Sequence, residues 1–454
     1  MKKNKYEIDM CNGTIMDKLI SFSVPLILSG ILQLLFNAVD IIVVGRFSGS
    51  QALAAVGSTT ALINLFTNLF IGISLGANVL AARFYAAQKD KEMSETVHTA
   101  IMLALISGVV MLFVGIFFAR GALELMGTPD DVIGQSTLYM RIYFAGMPFF
   151  MLYNYGAAIL RAVGDTKRPL FFLIVSGVVN ACLNLFLVIA FHLGVAGVAI
   201  ATVTAQGISC VLVLRCLQRS QASYQLRFRD LKIRGYYVQQ IFQVGLPAGI
   251  QSTVINFSNA LLQSSVNSFG SIAMAGYTAA NNLFGFLYVS TNSITQACMS
   301  FTSQNYGVGK WKRMDRVLVD CMILSVAVML TLGGGMYFFG PEILKIYTTN
   351  PRVISCGMEV LTYTTLTYFL CGIMDLLPGA LRGMGYSSVP MILSIIGTVG
   401  TRIVWIFGIF PNHRSLDILF ISYPVSWIIT IVLQVICFYF VRRKVHARPG
   451  VSET

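Results

Sequence analysis

The stretch from Gly235 to Gly309 reads GYYVQQIFQVGLPAGIQSTVINFSNALLQSSVNSFGSIAMAGYTAANNLFGFLYVSTNSITQACMSFTSQNYGVG, without one Asp, Glu, Lys, Arg or His. No water-soluble fold needs such a run. It is long enough for two membrane helices of ~20 residues each and a tight turn. It far exceeds the ~10 alternating residues of a barrel strand. The pattern recurs elsewhere in the chain. Everything between Arg46 and Arg83 is uncharged, and between Arg168 and Arg215 the only acidic or basic side chain is His192. Over all 454 residues 56% are hydrophobic and 11% charged, with a mean hydropathy of +0.73. A soluble domain carries about 25% charged residues. The composition therefore excludes a soluble enzyme, a disordered chain and a nucleic-acid binder, despite a formal charge of +13.

The apolar runs predict twelve helices, near 17–45, 52–80, 95–119, 136–160, 169–191, 195–217, 238–267, 273–302, 316–339, 354–380, 388–410 and 416–441. The longest polar stretch, Gln218 to Tyr237, contains Arg227, Arg229, Asp230, Lys232 and Arg234. It reads as a cytoplasmic linker between six-helix bundles over 17–217 and 238–441. Residues 1–16 and 442–454 read as a cytoplasmic N-terminal segment and tail. Of the 32 Lys and Arg, 25 fall with the N-terminus and the loops after even-numbered helices, and 7, Arg402 among them, fall on the other side. The positive-inside rule then puts both termini in the cytoplasm. On this reading the basic residues are a topology signal rather than a partner-binding patch. The mixed charges from Lys2 to Asp17 are followed by no short apolar region with a cleavage site, so the first span is expected to stay as a membrane helix. Nine scattered cysteines show neither metal-ligand spacing nor a disulfide framework, and read as small buried apolar side chains.

The two halves repeat. Leu160-Arg161-Ala162-Val163-Gly164-Asp165 leads to Pro169, and Leu381-Arg382-Gly383-Met384-Gly385-Tyr386 leads to Pro390, so Leu, Arg, Gly and Pro all match at one constant offset. The same offset pairs Tyr85 with Tyr306, and one residue of slip pairs Pro25 with Pro247. With six helices each, both halves enter the membrane from the same side, so the repeat is parallel. The expected fold is an all-α membrane protein, with twelve transmembrane helices in two parallel-repeat six-helix bundles around a central cleft. Rocking such bundles exposes the cleft to each side in turn. Pro25, Pro247, Pro378, Gly30 and Gly249 lie within helices, as passive kinks or as mechanical bends.

Pro25 with Asp40 and Gly45, the stretch from Ala52 to Gly57, residues 160–165 with Pro169, Gly194-Val195-Ala196-Gly197 and residues 381–385 together resemble the multidrug and toxic compound extrusion (MATE) family. The resemblance spans roughly residues 15–440 and rests on the order and spacing of these motifs. It implies a cation-coupled antiporter of the bacterial plasma membrane that expels small organic, often cationic, compounds. No cofactor is implied, and the chain is expected to work as a monomer in the lipid bilayer without nucleic acid.

Buried acids carry the candidate chemistry. Asp40 follows the uncharged stretch from Leu19 to Val39. An acid at mid-span costs about 2.5–3.5 kcal/mol on insertion scales, so Asp40 reads either as a functional group or as an interfacial acid near the helix end. The resemblance favours the first, because the family uses an acid at this place as its cation or proton site. It also implies Asn180, Asn184 and Thr202 as partners. Asn180 and Asn184, four residues apart, share one helix face, and serve either as cation ligands or as interhelical hydrogen-bonding amides. The family expects an acid where Asn184 stands. With a single carboxylate, one bound proton neutralises the cluster, which favours protons over sodium. Apart from sodium at Asp40, no metal is expected. Asp375 is a second buried acid, available for coupling or for an ion pair with Arg382 or Arg402. Gln33, Asn37, Asn154, Gln251, Asn256, Asn282, Tyr288 and Tyr368 are candidates for the substrate cleft, since lipid-facing amides are costly and tyrosines bind flat cations.

Other functions fit less well. The four histidines, His98, His192, His413 and His446, have no partner four residues away, and no phosphate-binding loop is present. An ion gradient is therefore the expected energy source. A lipid-linked oligosaccharide flippase of the same superfamily would want cationic residues in the cleft, and residues 235–309 have none. A membrane-embedded enzyme or a channel is the alternative from another class, with Asp40 and Asp375 a thin basis for catalysis.

Overall fold

The computed structural model describes residues 6–447, and among them every regular element is helical. Twelve spans follow one another. The first three are α1 (Met16–Phe47), α2 (Ser50–Ala86) and α3 (Asp90–Leu125). α4 is built from two pieces, Asp130–Ala145 and Met147–Ala162, broken where Gly146 precedes Met147-Pro148. Pro148 lacks an N–H and is tolerated only in a first helical turn. α5 is Lys167–Ala190, α6 Gly194–Gln218, α7 Gly235–Asn267, α8 Ser271–Gly307 and α9 Trp311–Phe338. α10 joins Pro351–Thr365 to Tyr368–Gly383 with a bend of 44°. α11 is Ser388–Asn412 and α12 is Leu416–His446.

Eight of these helices are individually long and apolar enough to cross a membrane, and the bent α10 makes a ninth. The pieces of α4 are each too short to span alone, and amides dilute the hydropathy of α7 and α8. Large apolar side chains remain on the outside, as lipid contact requires: Phe113, Phe117 and Phe118 on α3 and Phe440 on α12 are each more than half exposed. The chain is a multi-pass membrane protein.

The duplication is visible in the backbone. Gly164 and Gly385 both adopt φ +91°, the left-handed conformation that glycine reaches without a Cβ penalty. Around them, Asp165 N–H bonds Leu160 C=O and Tyr386 N–H bonds Leu381 C=O, each at 2.9 Å. The same helix-terminating motif thus closes α4 and α10. Gly49 before α2 and Gly270 before α8 have φ +88° and +93°, and Gln88 and Gly309 after these helices are also left-handed. All three pairs keep the offset that relates Leu160 to Leu381.

The chain forms two compact units that are not continuous in sequence. Among the described residues, the first takes Leu28–Gly249 with residues 6–8; the second takes Asp9–Ile27 with residues 250–447. α1 and α7 each change unit part-way along, two residues after Pro25 and Pro247 respectively. A seam of glycines explains the first half of α7. A Cβ on Gly72 of α2 would lie 2.3 Å from the Cα of Gly249, and one on Gly76 would lie 2.1 Å from the carbonyl oxygen of Ile241. Gly72 with Gly76 and Gly245 with Gly249 form two small-xxx-small faces, which let backbones approach where no hydrophobic force acts between helices.

Residues 218–237 pack onto the first unit. Tyr224 and Leu226 are buried, and the Tyr224 hydroxyl donates to Glu7 Oε1 at 2.6 Å. His98 lies 2.6 Å from the Ser94 carbonyl through Nδ1, and its Nε2 accepts from the Arg227 N–H at 3.1 Å. Both ring nitrogens are thereby occupied. In the second unit the segment before α1 is equally ordered: Met10 is fully buried, and Lys310 Nζ donates to the Cys11 carbonyl at 2.9 Å.

Candidate functional site

In the first unit α1, α5 and α6 bring Asp40, Asn180, Asn184 and Thr202 into one hydrogen-bonded cluster. Asp40 is 7% exposed. Asn184 Nδ2 donates to Asp40 Oδ1 and also to Asn180 Oδ1, the latter at 2.8 Å. Asn180 Nδ2 donates to Thr202 Oγ1 at 3.3 Å. The single Thr202 hydroxyl proton lies between Asp40 Oδ2 at 3.3 Å and the Val198 carbonyl at 3.0 Å. Asn180 and Asn184 share a face because they are one helical turn apart. α5 turns into a π-helix at Phe186–Ala190, directly after Asn184; such π turns are common at functional sites. Asn184 Oδ1 is buried and, among the described residues, accepts no hydrogen bond. The cluster thus contains one carboxylate, two amides and a hydroxyl.

Two further residues belong to this neighbourhood. Tyr139 and Tyr143 of α4 lie within electrostatic reach of Asp40. Their rings stack at 6.1 Å. Sequence reading did not single them out, because tyrosine near a helix end reads equally as interfacial belt. Their spacing of four residues, which puts both on one face, was the available signal.

The second unit holds two cations that the charge count gave to opposite sides of the membrane, Arg382 and Arg402. Arg382 stands half-buried in the last turn of α10 and donates from Nη2 to Gln251 Oε1 at 2.6 Å. Its charge acts on Asp375. Among the described residues Asp375 forms no ion pair within 4 Å with either Arg382 or Arg402. The larger correction is Arg402. Counted with the outer loops, it lies in the interior of α11 and is 3% exposed. Nη1 donates to Asn259 Oδ1 at 2.7 Å and, at 3.5 Å, to Ser258 Oγ. Its guanidinium carbon sits 4.7 Å from the centre of the Tyr423 ring, and Tyr423 and Tyr277 share a hydroxyl–hydroxyl bond of 2.9 Å. π-helical turns at Ile395–Gly400 and Trp405–Ile409 flank it, carrying α11 on to Asn412.

The remaining cleft candidates differ in exposure. Gln33 and Asn37 on α1, Asn256 on α7 and Asn282 and Tyr288 on α8 are exposed. Gln251 is buried against Arg382, and Tyr368 is buried among aromatics, its ring 5.6 Å from Trp427. Asn154 is half-buried and donates to the Phe150 carbonyl of its own helix at 2.8 Å.

Twelve helices in two repeats, with ionisable side chains buried within the spans, define a polytopic membrane protein built as a duplicated bundle. The MatE family model matches residues 25–186 and 247–407, and the chain belongs to the MATE family. YoeA of Bacillus subtilis strain 168, a probable multidrug resistance protein, is 30% identical over 439 residues, 93% of each chain. NorM of Thermotoga maritima, also a probable multidrug resistance protein, is 24% identical over 402 residues, 85% of this chain and 84% of that one. An outward-facing multidrug resistance MATE transporter of the MOP superfamily shares the fold with a TM-score of 0.89 at 20% identity, over 98% of this chain and 99% of that one. A MOP-superfamily transporter of Pyrococcus furiosus, whose binding pocket is described as reversed in polarity, gives 0.87 at 20% identity over the same shares.

Proposed function

We propose that this chain is a secondary active antiporter that exports small organic, often cationic, compounds by alternating access, with protons favoured over sodium as the coupling ion. The observation that carries the reading is the buried Asp40 and its ring of neutral partners. When ionised, Asp40 accepts from Asn184 Nδ2 and Thr202 Oγ1. When protonated, it becomes a donor, and Thr202 Oγ1, 3.3 Å from Asp40 Oδ2 and able to give its own proton to the Val198 carbonyl, becomes the acceptor. Both states therefore have partners in one scaffold, and the proton alone cancels the charge. Sodium needs several oxygens at once; here the Asn184 amide turns N–H rather than oxygen toward the carboxylate. The names of relatives such as YoeA and NorM support multidrug export. The lysine and arginine bias supports cytoplasmic termini, and the bacterial relatives support a bacterial plasma membrane location. Function as a monomer belongs to the same proposal.

A flippase for anionic lipid-linked sugars is the second reading. Its weakest point in the sequence, the lack of cations in residues 235–309, is partly offset by Arg382 and Arg402, which join this stretch through Gln251 and Asn259. The multidrug relatives favour export of organic compounds. The test is efflux of a fluorescent cation from vesicles under separately imposed proton and sodium gradients. A pH gradient without sodium should drive efflux, and Asp40→Asn should abolish it while membrane insertion stays intact. Undiminished efflux by that variant removes Asp40 from the mechanism; efflux that needs sodium at every pH reverses the choice of ion.

A further inference from the structure

Arg402 sits where the second repeat reproduces the Asp40 junction. At the offset of the repeat Thr202 corresponds to Tyr423, and with one residue of slip Asn37 corresponds to Asn259 and Asn180 to Arg402. The family model, matching at 25–186 and again at 247–407, spans the same range of offsets. The three-helix junction of α1, α5 and α6 therefore has a counterpart on α7, α11 and α12. Its acid is gone, since Asp40 corresponds to Leu261 or Leu262, and a guanidinium stands in the place of an amide.

Among the described residues this guanidinium has no counter-ion. Buried arginines are ordinarily paired with carboxylates, but no described ion pair within 4 Å includes Arg402. Its hydrogen-bond partners are neutral, and the groups that feel its charge are Tyr423, Cys371, Tyr277 and Tyr368. Asn259 fixes Nη1 and Tyr423 covers one face. Nε is buried and unpartnered. The Nε–Nη2 edge that this leaves is the fork that takes a carboxylate side-on through two parallel N–H···O bonds.

We propose that Arg402, held by Asn259 and Tyr423, forms an anion subsite in the second half of the chain that binds the carboxylate of an exported organic compound. The proposal rests on the export reading and assigns to Arg402 the recognition of the carboxylate in those exported compounds that carry one. Aromatic neighbours supply the apolar surroundings in which a bidentate Arg–carboxylate pair is strongest.

The test uses the purified full-length chain in lipid nanodiscs and two fluorescent xanthene dyes that differ in one group, a free benzoate in one and its methyl ester in the other. Binding is followed by fluorescence polarisation. Arg402→Gln should weaken the benzoate dye at least about tenfold more than the ester, the usual size of one lost charge-assisted bond. Arg402→Lys keeps the charge without the fork and should lie between wild type and Arg402→Gln, so the ratio stays readable if the neutral variant fails to fold. An unchanged benzoate-to-ester ratio in whichever variant folds overturns the anion subsite while the bound ester leaves the export reading standing. If wild type binds the benzoate dye but not the ester, the subsite stands and cation export falls. Binding of neither dye by wild type overturns both.

Discussion

In the first half, Asp40 of α1 meets Asn180 and Asn184 of α5 and Thr202 of α6; in the second, Arg402 of α11 meets Asn259 of α7 and Tyr423 of α12. The two junctions occupy matching places in a duplicated chain and carry opposite charge. Around the acid every partner is a small amide or hydroxyl, able to exchange donor and acceptor roles as a proton comes and goes. Around the arginine the partners are one amide, one serine and tyrosine rings, which hold a permanent cation in one orientation. Duplication has kept the caps, as Gly164 and Gly385 show, while the buried charges have diverged. A group that titrates suits coupling to an ion gradient. A group that never loses its charge suits recognition.

The sharpest way to break this contrast is to neutralise each centre in turn. Asp40→Asn should lower gradient-driven efflux of the ester dye to the level of empty vesicles, whereas Arg402→Gln should cost the same dye less than about tenfold. Equal and complete loss in both would mean that the halves do not divide coupling from recognition.

A scaffold defect should behave differently from either. A methyl at Gly72 would stand 2.3 Å from Gly249 Cα, so Gly72→Val must force α2 and α7 apart. We expect about 3 kcal/mol or more of destabilisation, seen as a fall in Tm in detergent, with binding of both dyes lost in parallel. Selective loss of one dye at unchanged Tm would show that the seam yields freely and would undo the structural role given to it.

Asn259→Leu tests what orients Arg402. It leaves Nη1 with only Ser258 at 3.5 Å, and a buried charged donor stripped of its acceptor costs about 1–3 kcal/mol. Thermal unfolding should shift down by several degrees, and the benzoate dye should weaken more than the ester. A variant that matches wild type in both measurements would show that the guanidinium is held by other contacts.

Tyr423→Phe should have the smallest effect. The ring stays beneath the guanidinium and only the 2.9 Å bond to Tyr277 is lost, worth about 1 kcal/mol. Tyr423→Leu removes the ring as well and should cost a further ~1 kcal/mol or more. Identical Tm values for the two variants would mean that the ring contributes nothing to seating Arg402.

The helical membrane fold was legible in residues 235–309 and their like because spanning length and absence of charge are properties of the chain taken one residue at a time. The duplication was legible at 160–169 and 381–390 because the turn after each helix needs Gly at one place, and the needed φ is found at both Gly164 and Gly385. Asp40, Asn180, Asn184 and Thr202 were named from a resemblance, and only the packing of α1, α5 and α6 brings them within hydrogen-bonding distance. Arg402 was counted with the outer-side charges although it falls within the helix expected at 388–410, because charge counting assigns every arginine to one side of the membrane and has no place for one buried between them. Flanking π turns carry α11 past it, and the neutral amide of Asn259, far away in the chain, holds it inside. The unit boundaries within α1 and α7 were equally hidden. A helix is continuous in sequence, but which of its halves packs against which neighbours depends on contacts such as Gly72 with Gly249, made between residues that the chain order keeps far apart.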